Sequence, residues 1–250
     1  MNLPLISIIT PSYNSAKFIA ETIESVLAQT YTNWELLITD DCSTDNTVEI
    51  INKYVNQDSR IKLFCLGKNS GAATARNNSI EQAKGRFIAF LDSDDLWKPE
   101  KLEKQVDVMI KNNHAFTYTS YELINEDGTN ANKVIKAVKS VNYEQYLKNT
   151  IIGCLTVVID RELVGDFRMP MLKTSQDMAT WLLVLKRGFV AYGIQDSLAY
   201  YRLVNNSNSS KKIKAAKDVW KVYRESEKLS FFNSLICFSC YAMNAILKRL

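Results

Sequence analysis

Short apolar segments alternate with helix-like ones through the first 112 residues, and this alternation limits the possible folds more than any other feature. Four runs of β-branched and aromatic residues predict strands at 5–9, 34–38, 61–66 and 87–91. The other segments space their apolar residues as helices do, over 16–29, 44–55, 71–83 and 99–112. Ser15 can cap the first of these helices, and Ser43 or Thr44 the second. Strands and helices that alternate with short connections predict an α/β fold, with a mostly parallel sheet between two layers of helices.

The second half of the chain is less regular. Its apolar runs predict strands at 116–124, 155–159, 189–194 and 198–203, with a turn at 126–128 after the first of them. A helix is predicted over 175–186, with Ser175 as its cap and Asp177 in its first turn.

The last 45 residues differ in composition from the rest. Seven basic residues lie between 211 and 228, and the following 19 residues, 229–247, carry no charge. That length approaches a bilayer span, but the serines and asparagines within it are costly at the centre of a membrane. The composition favours a helix in the membrane interface beside a basic segment attracted to anionic lipid. A helix packed on the domain and a spanning helix are the alternatives.

Composition excludes several classes of site. The net charge of +4 does not indicate a nucleic-acid partner. Five scattered cysteines do not suit a disulfide framework, and Cys237 and Cys240 fit as apolar fillers. With His114 as the single histidine, a metal must be held by oxygen ligands. The first residues show no secretory signal, so the chain is expected to stay in the cytosol.

Polar clusters follow the ends of three predicted strands, at 10–14, 40–41 and 92–95. In open α/β sheets, ligands bind at the edge formed by the carboxyl ends of the strands. Three clusters at one edge therefore predict a single binding site there.

The most acidic of these clusters contains Asp92, Ser93, Asp94 and Asp95. Three carboxylates this close repel one another unless a cation lies among them, and Mg²⁺ and Mn²⁺ prefer carboxylate and phosphate oxygens. A metal there can neutralise the charge on a departing diphosphate. The alternative is a helix cap ahead of Pro99, although capping needs only one or two of these residues.

Other residues near this edge suit a nucleotide. Asp41 can accept a hydrogen bond from the N3–H of a uracil, and Pro11 and Tyr13 can form a wall against the base. Gly71 allows close approach of the backbone, and Arg76 adds a fixed positive charge towards a diphosphate.

Taken together, these motifs resemble glycosyltransferase family 2, the inverting, nucleotide-sugar-dependent enzymes of the Rossmann-like GT-A fold. The resemblance covers about residues 4–205 and rests on stretches 7–14, 40–47, 71, 75–77, 90–95, 176–177 and 201–202. Residues 179–182 and the basic tail resemble bacterial enzymes of surface-polysaccharide assembly, for O-antigen, capsule or teichuronic acid. The resemblance implies a catalytic domain at 1–205, with a nucleotide-sugar-binding half at 1–95 and an acceptor-binding half at 96–205. A helical, membrane-associating tail follows at 206–250.

The resemblance also implies roles at the donor end of the site. Asp94 is the principal ligand of a Mn²⁺ or Mg²⁺ ion, and Asp92 contacts the metal or the ribose. Arg202 helps to bind the donor diphosphate.

At the acceptor end, Asp177 is implied as the general base. Gln176 departs from the family pattern, which has an acidic residue at this position, so no charged role is expected there. Asp95 and Trp97 are expected to lie towards the acceptor.

The implied reaction is a single displacement that moves a hexose, glucose or galactose, from a UDP-sugar and forms a β linkage. The tail and the resemblance predict a lipid-linked acceptor, GlcNAc-diphosphoundecaprenol or a longer intermediate, with a β-1,3 linkage favoured, in O-antigen (lipopolysaccharide) or capsule assembly. The expected location is the cytoplasmic face of the bacterial inner membrane.

Three alternatives accompany this expectation. The first is transfer to a teichuronic acid or other capsular chain. The second is a nucleotidyltransferase, although residues 10–15 lack the basic side chains that would hold a triphosphate. The third is an inactive nucleotide-sugar-binding protein, against which the presence of Asp94, Asp177 and Arg202 argues.

Overall fold

The computed structural model describes residues 3–172, 174–204 and 212–247. Ten strands form one sheet within these residues: β1 (Ile6–Ser12), β2 (Trp34–Asp40), β3 (Ile61–Cys65), β4 (Phe87–Phe90), β5 (Leu96–Trp97), β6 (Phe116–Asn125), β7 (Asn130–Ile135), β8 (Ser140–Val141), β9 (Val158–Asp160) and β10 (Ala191–Leu203). Nine helices lie in the same residues: α1 (Ile19–Leu27), α2 (Thr47–Val55), α3 (Ala72–Gln82), α4 (Lys101–Asn112), α5 (Tyr143–Lys148), α6 (Arg161–Val164), α7 (Gln176–Lys186), α8 (Lys212–Lys221) and α9 (Phe231–Leu247).

The strand order across the sheet is β3-β2-β1-β4-β9-β6-β10-β5, with β7 paired to β6 and β8 paired to β10. The long pairings are parallel: β1 with β2 and β4, β2 with β3, and β6 with β10. The short strand β9 is antiparallel to both β4 and β6 and joins the two parallel parts. The predicted α/β fold, with a mostly parallel sheet and flanking helices, is confirmed.

Strand β1 is buried on both faces, and its side chains alternate between two apolar layers. Ile6 and Ile8 belong to the layer that contains Ile23 of α1, whereas Ile9 belongs to the layer that contains Trp181 of α7. Because helices cover both faces, the polar residues that follow β1, β2 and β4 are directed to the carboxyl edge of the sheet.

The predicted cap of the first helix is wrong. The helix α1 begins at Ile19, and the hydroxyl of Ser15 lies 2.7 Å from the hydroxyl of Ser12 instead of capping it. Ser15 contributes its carbonyl, which accepts the N–H of Ile19 at 3.0 Å.

The predicted caps of the second helix are also wrong. The helix α2 begins at Thr47, and the carboxylate of Asp45 accepts both the N–H and the hydroxyl of Thr47, at 3.0 and 2.5 Å. Asp45, rather than Ser43 or Thr44, therefore supplies the side-chain acceptor for the first N–H of this helix, and Asn46 occupies the N-cap position.

The two strands predicted at 189–194 and 198–203 are one strand, β10, of 13 residues. Its pairing with β6 shifts register between Ile194 and Ser197 and again before Ala199. This irregularity coincides with the polar residues Gln195 and Asp196, which interrupt the apolar pattern in the sequence. The strand predicted at 155–159 begins later, as β9, after a 3₁₀ turn at Cys154–Thr156.

The described part of the tail is helical and packs on the domain. A π-helical turn at Val222–Ser226 follows α8, and the hydroxyl of the buried Tyr223 donates to the Leu147 carbonyl at 2.5 Å. Glu227 accepts hydrogen bonds from Tyr143 (2.7 Å) and Lys186 (3.0 Å). Among the described residues, no helix combines the length and the apolar character needed to cross a membrane. Residue 205 and, within the predicted tail, residues 206–211 and 248–250 lie outside the described residues.

Candidate active site

A cavity of about 800 Å³ opens at the carboxyl ends of β1, β2 and β4. The residues predicted for the site and found in its walls are Pro11, Tyr13, Asp41, Arg76, Asp92, Asp94, Asp95 and Asp177. The strand ends supply most of them, while Arg76 comes from α3 and Asp177 from α7. The fold therefore brings together residues that are 166 positions apart in the sequence.

Asp41 holds the loop that leads into α3. Its two carboxylate oxygens accept the backbone N–H groups of Ser70 and Gly71, each at 2.7 Å. Gly71 has a φ of +90°, which a residue with a side chain would adopt only with strain. A base that used Asp41 as an acceptor would share oxygens that already fix this loop.

Asn14 fixes the loop that carries Tyr13. Its side-chain oxygen accepts the N–H of Thr44 and its own N–H donates to the hydroxyl of Ser43, both at 2.8 Å. The two loops after β1 and β2 are thus tied side by side, with Tyr13 about half exposed at the cavity.

The side chain of Arg76 reaches from α3 to the loop of residues 92–95, which we call the acidic loop. Its Nη2 pairs with Asp92 Oδ1, and the Arg76 side chain is almost fully buried. Its Nε–H has no hydrogen-bond partner within the described residues. A buried donor without a partner is costly, so this group suits a phosphate oxygen.

The acidic loop concentrates negative charge where water is scarce. Burial and the neighbouring Asp92 raise the pKa of Asp94 to about 6. Burial and the neighbouring Asp94 raise the pKa of Asp95 well above its ordinary range. The alternative that this cluster caps a helix is wrong, because β5 intervenes and Glu100 occupies the N-cap of α4.

The loop fits a hard divalent cation. Asp95 Oδ2 is buried without a hydrogen-bond partner, and a bound cation would reduce the repulsion among the three carboxylates. No group of three His, Cys, Asp or Glu side chains converges as a metal cage in the described residues. A cation there would use one or two carboxylates, and phosphate oxygens of a substrate would complete its coordination.

Asp177 lies in the first turn of α7 and lines the same cavity as the acidic loop. Asp177 is half-buried, and its partial removal from water raises the pKa of its carboxyl. Ser175 occupies the N-cap position of α7, as predicted, but it has a φ of +57° and its side chain makes no capping hydrogen bond. A carboxylate with a raised pKa beside a cavity is suited to accept a proton.

Arg202 and Trp97 lie behind the cavity wall rather than in it. The Arg202 guanidinium donates to the carbonyls of Asp94 (2.9 Å) and Glu126 (3.0 Å) and to Glu21 Oε2 (2.6 Å). Its side chain is 1% exposed. The buried Trp97 donates its indole N–H to the Leu155 carbonyl at 2.8 Å.

Two residues that hold the segment leading into α7, Asn77 and Thr174, were not predicted from the sequence. Asn77 exchanges two hydrogen bonds of 2.8 Å with the backbone of Met169, and Thr174 donates its hydroxyl to Asp218 of α8. Asn77 belongs to one of the motifs that carry the family resemblance, which was the available signal. Asp218 has no comparable signal, because its contact depends on how the tail packs.

Residues 7–167 match the family model described as Glycosyl transferase family 2. The chain belongs to this family. The identification confirms the resemblance predicted from the motifs.

Two curated relatives cover nearly the whole glycosyltransferase. TuaG of Bacillus subtilis, assigned to teichuronic acid biosynthesis, is 55% identical over 247 residues, which are 99% of this chain and 98% of TuaG. WfgD of Escherichia coli is named a UDP-Glc:α-D-GlcNAc-diphosphoundecaprenol β-1,3-glucosyltransferase. It is 46% identical over 219 residues, which are 87% of this chain and 85% of WfgD.

A solved structure supports the fold of the glycosyltransferase. The mannosyltransferase PcManGT from Pyrobaculum calidifontis, in complex with GDP-Man and Mn²⁺, superposes with a TM-score of 0.72 at 16% identity. The match covers 97% of this chain and 73% of PcManGT. At this identity the similarity shows the fold alone, and it confirms the predicted GT-A architecture.

Proposed function

We propose that this glycosyltransferase transfers a hexose, glucose or galactose, from a UDP-sugar to a sugar on a lipid diphosphate, with inversion to a β linkage. The acceptor we propose is GlcNAc-diphosphoundecaprenol, with a β-1,3 linkage favoured. The observation that carries the proposal is that Asp177, Arg76 and the acidic loop line one cavity. The relative WfgD, 46% identical, is named for this reaction with glucose.

The donor would lie along the carboxyl edge of the sheet. Pro11 and Tyr13 would flank the uracil, and Asp41 would accept its N3–H with the lone pairs that the loop bonds leave free. The unpaired Nε–H of Arg76 would donate to the diphosphate.

Asp94 and Asp92 would hold the Mn²⁺ or Mg²⁺ ion. When bound, the ion supplies a positive centre that stabilises the charge of the leaving diphosphate. The salt bridge from Arg76 to Asp92 keeps one carboxylate oriented towards this position.

The chemical step is proton removal by Asp177. Its carboxylate takes the proton of the acceptor hydroxyl, and the hydroxyl oxygen forms a bond to the anomeric carbon as the bond to UDP breaks. Attack from the face opposite UDP inverts the configuration, so an α-linked donor gives a β-glycoside. A positioned base of this kind contributes roughly 10²–10⁴ in rate.

Arg202 acts on the site through the backbone of the acidic loop. Binding a diphosphate directly would require its guanidinium to leave three acceptors, so we propose that it positions Asp94 instead. Asp95 lies in the wall on the proposed acceptor side, and Trp97 supports that wall from behind.

A lipid-linked acceptor places the reaction at the cytoplasmic face of the inner membrane, with the protein attached peripherally. A second candidate acceptor is a teichuronic acid or other capsular chain. The 55% identity to TuaG favours it.

The experiment that tests the proposal is a panel of UDP-sugars offered with a lipid-diphosphate GlcNAc and, separately, with a teichuronic-type oligosaccharide. We expect transfer of glucose or galactose to the lipid-diphosphate GlcNAc, with a β-1,3 product identified by NMR. Transfer to the oligosaccharide alone would select the second candidate. No transfer from any UDP-sugar to either acceptor would overturn the proposal.

A further inference from the structure

The tail forms a helical hairpin of α8, the π-helical turn and α9, and its first arm exposes a basic surface. Lys217, Lys221, Arg224 and Lys228 are all exposed, while Tyr223 on the other side of the arm is fully buried. Lys217 and Lys221 lie on α8 and Arg224 in the π-helical turn, at intervals of four and three residues, and Lys228 follows two residues after that turn ends. We call these four residues the basic strip.

The second arm exposes an apolar surface. Phe232, Leu235, Ile236 and Met243 are between 46% and 75% exposed. Their spacing puts them on one side of α9, whereas Ser234 and Cys237 on the other side are buried. We call these four residues the apolar strip. Large apolar side chains grouped at a surface mark an interaction site more often than single ones do.

Contacts on the inner side of the hairpin fix the direction of both strips. Trp220 of the first arm packs edge-on against Phe231 and Phe238 of the second, with ring centroids 6.0 and 5.6 Å apart. Asn244 donates to the Lys148 carbonyl at 3.0 Å, which holds α9 against α5. With its inner side committed to the domain, the hairpin leaves both strips to solvent.

We propose that the two strips together are a docking surface for an anionic lipid bilayer. The apolar strip would enter the boundary between headgroups and acyl chains, and the basic strip would meet the lipid phosphates. The occupant follows from the complementarity, because an apolar helix face beside a basic one matches the two layers of an anionic membrane surface.

The docking surface is joined to the active site. Thr174, which lines the cavity, donates its hydroxyl to Asp218 of α8, next to Lys217 in the basic strip. A bilayer on the hairpin would therefore lie beside the wall that leads to Asp177. The inference rests on the proposed function, since a lipid-linked acceptor is what brings this glycosyltransferase to a bilayer.

Vesicle flotation of the full chain tests the apolar strip. We expect wild type to float with phosphatidylglycerol vesicles, and Phe232→Ser with Ile236→Ser to lower the partition coefficient at least ~10-fold. The matched control, Ile110→Ser, replaces an exposed isoleucine of α4 and should bind as wild type does. Failure of wild type to float, or unchanged floating of the double variant, overturns the proposal.

Charge variants test the basic strip separately. Lys221→Gln with Arg224→Gln should remove the preference for phosphatidylglycerol over phosphatidylcholine vesicles. Lys53→Gln with Lys111→Gln removes the same charge from exposed sites on α2 and α4 and should keep that preference. Equal binding of wild type to both lipids would contradict the charge argument. If the surface instead binds an acidic protein, the wild type should bind neither kind of vesicle, and that result also overturns the docking proposal.

Transfer assays with a water-soluble acceptor test the docking surface independently of the proposed reaction. The apolar-strip variant should transfer sugar to a short-chain GlcNAc diphosphate at the wild-type rate and lose rate only on vesicle-borne acceptor. Loss of rate with the soluble acceptor would mean that the strip supports the fold, contrary to the docking role. Vesicle binding without transfer to any acceptor would overturn the proposed reaction and leave the docking surface intact.

Discussion

The side chain of Asn77 accepts the N–H of Met169 and donates to its carbonyl, both at 2.8 Å. The pair ties α3, which carries Arg76, to the segment that leads into α7, which carries Asp177. The proposed donor-binding arginine and the proposed general base are therefore mechanically linked through these two hydrogen bonds.

Replacing Asn77 with alanine should separate binding from turnover. We expect the kcat of Asn77→Ala to fall by roughly tenfold or more while UDP affinity changes little, because losing the link displaces the base rather than the donor pocket. Steady-state kinetics and UDP calorimetry measure the two effects. Asn56→Ala, at an exposed asparagine after α2, is the control, and an unchanged kcat for Asn77→Ala would show that the link does not position Asp177.

Asp177→Asn should keep the shape of the site and remove the base. We expect turnover to fall by about 10²–10⁴ with UDP and Mn²⁺ binding retained, since the amide cannot accept a proton. Single-turnover transfer and UDP calorimetry provide the measurement. Asp166→Asn changes an exposed aspartate near the same segment and should have no effect. Near-normal turnover of Asp177→Asn would rule out its role as the base.

The acidic limb of the pH–rate profile should lie at a higher pH than for an ordinary aspartate. Burial raises the pKa of Asp177, and a general base works only when deprotonated. Turnover should therefore fall as the pH drops through this raised pKa, above the usual value of about 3.9. A kcat profile with Mn²⁺ saturating measures the limb. A limb at or below the ordinary value would argue against the half-buried carboxylate of Asp177 as the base.

Arg202→Lys distinguishes support of the acidic loop from contact with the diphosphate. A lysine cannot reproduce the three-way guanidinium contact, so we expect the free energy of unfolding to fall by about 2–3 kcal/mol. The Mn²⁺ concentration for half-maximal transfer should rise as well. Denaturant unfolding and metal titration of activity provide both values, with the exposed Arg168→Lys as control. Unchanged stability with weakened UDP binding would favour direct contact.

Lys101→Met should stabilise the protein. Lys101 is fully buried, its Nζ has no hydrogen-bond partner among the described residues, and it lies 4.0 Å from the Trp97 ring centroid. Burial lowers the pKa of its amine well below the ordinary range. The unfolded chain then binds a proton that the folded chain does not, so stability should increase as pH rises towards the ordinary lysine pKa.

At pH 7 the gain from Lys101→Met should be about 1–3 kcal/mol, and the wild-type rise of stability between neutral and alkaline pH should flatten. Denaturant unfolding at several pH values checks both. Lys111→Met, an exposed lysine in the same helix, should change stability by less than about 0.5 kcal/mol. Destabilisation by Lys101→Met would show that the amine has a favourable environment.

The alternating strands and helices of the first half could be predicted from the sequence, because each strand there is a continuous apolar run that ends in polar residues. Asp41 and Asp92 follow such runs, and a parallel sheet brings its strand ends to one edge, so their convergence required no tertiary information. The predictions of Ser15 and Ser43 as helix caps were wrong, because the packing of neighbouring loops decides which hydroxyl or carboxylate caps a helix.

The second half depends on contacts that no local pattern encodes. The family resemblance selected Asp177, but the segment that precedes it is held by long-range contacts. Met169 bonds to Asn77, 92 residues away, and Thr174 bonds to Asp218, 44 residues away. Arg202 was recognised as a motif residue, yet its burial against Glu21 and Glu126 follows only from where β10 meets α1. The sequence of the tail could not decide whether α9 packs on the domain or is exposed, because one side of the helix is buried and the opposite side is exposed.

The pairing of β5 with β10 decides when the acidic loop takes its shape. After β4, the chain crosses from the middle of the sheet to its far edge, where Leu96 and Trp97 pair with residues 199–200, and Arg202 N–H then reaches Asp95 Oδ1 at 2.9 Å. On the ribosome, the ends of β1 and β2 can form early, but the acidic loop waits for residues near 203 to emerge. A nascent chain therefore cannot complete the acidic loop until the residues near 203 have emerged.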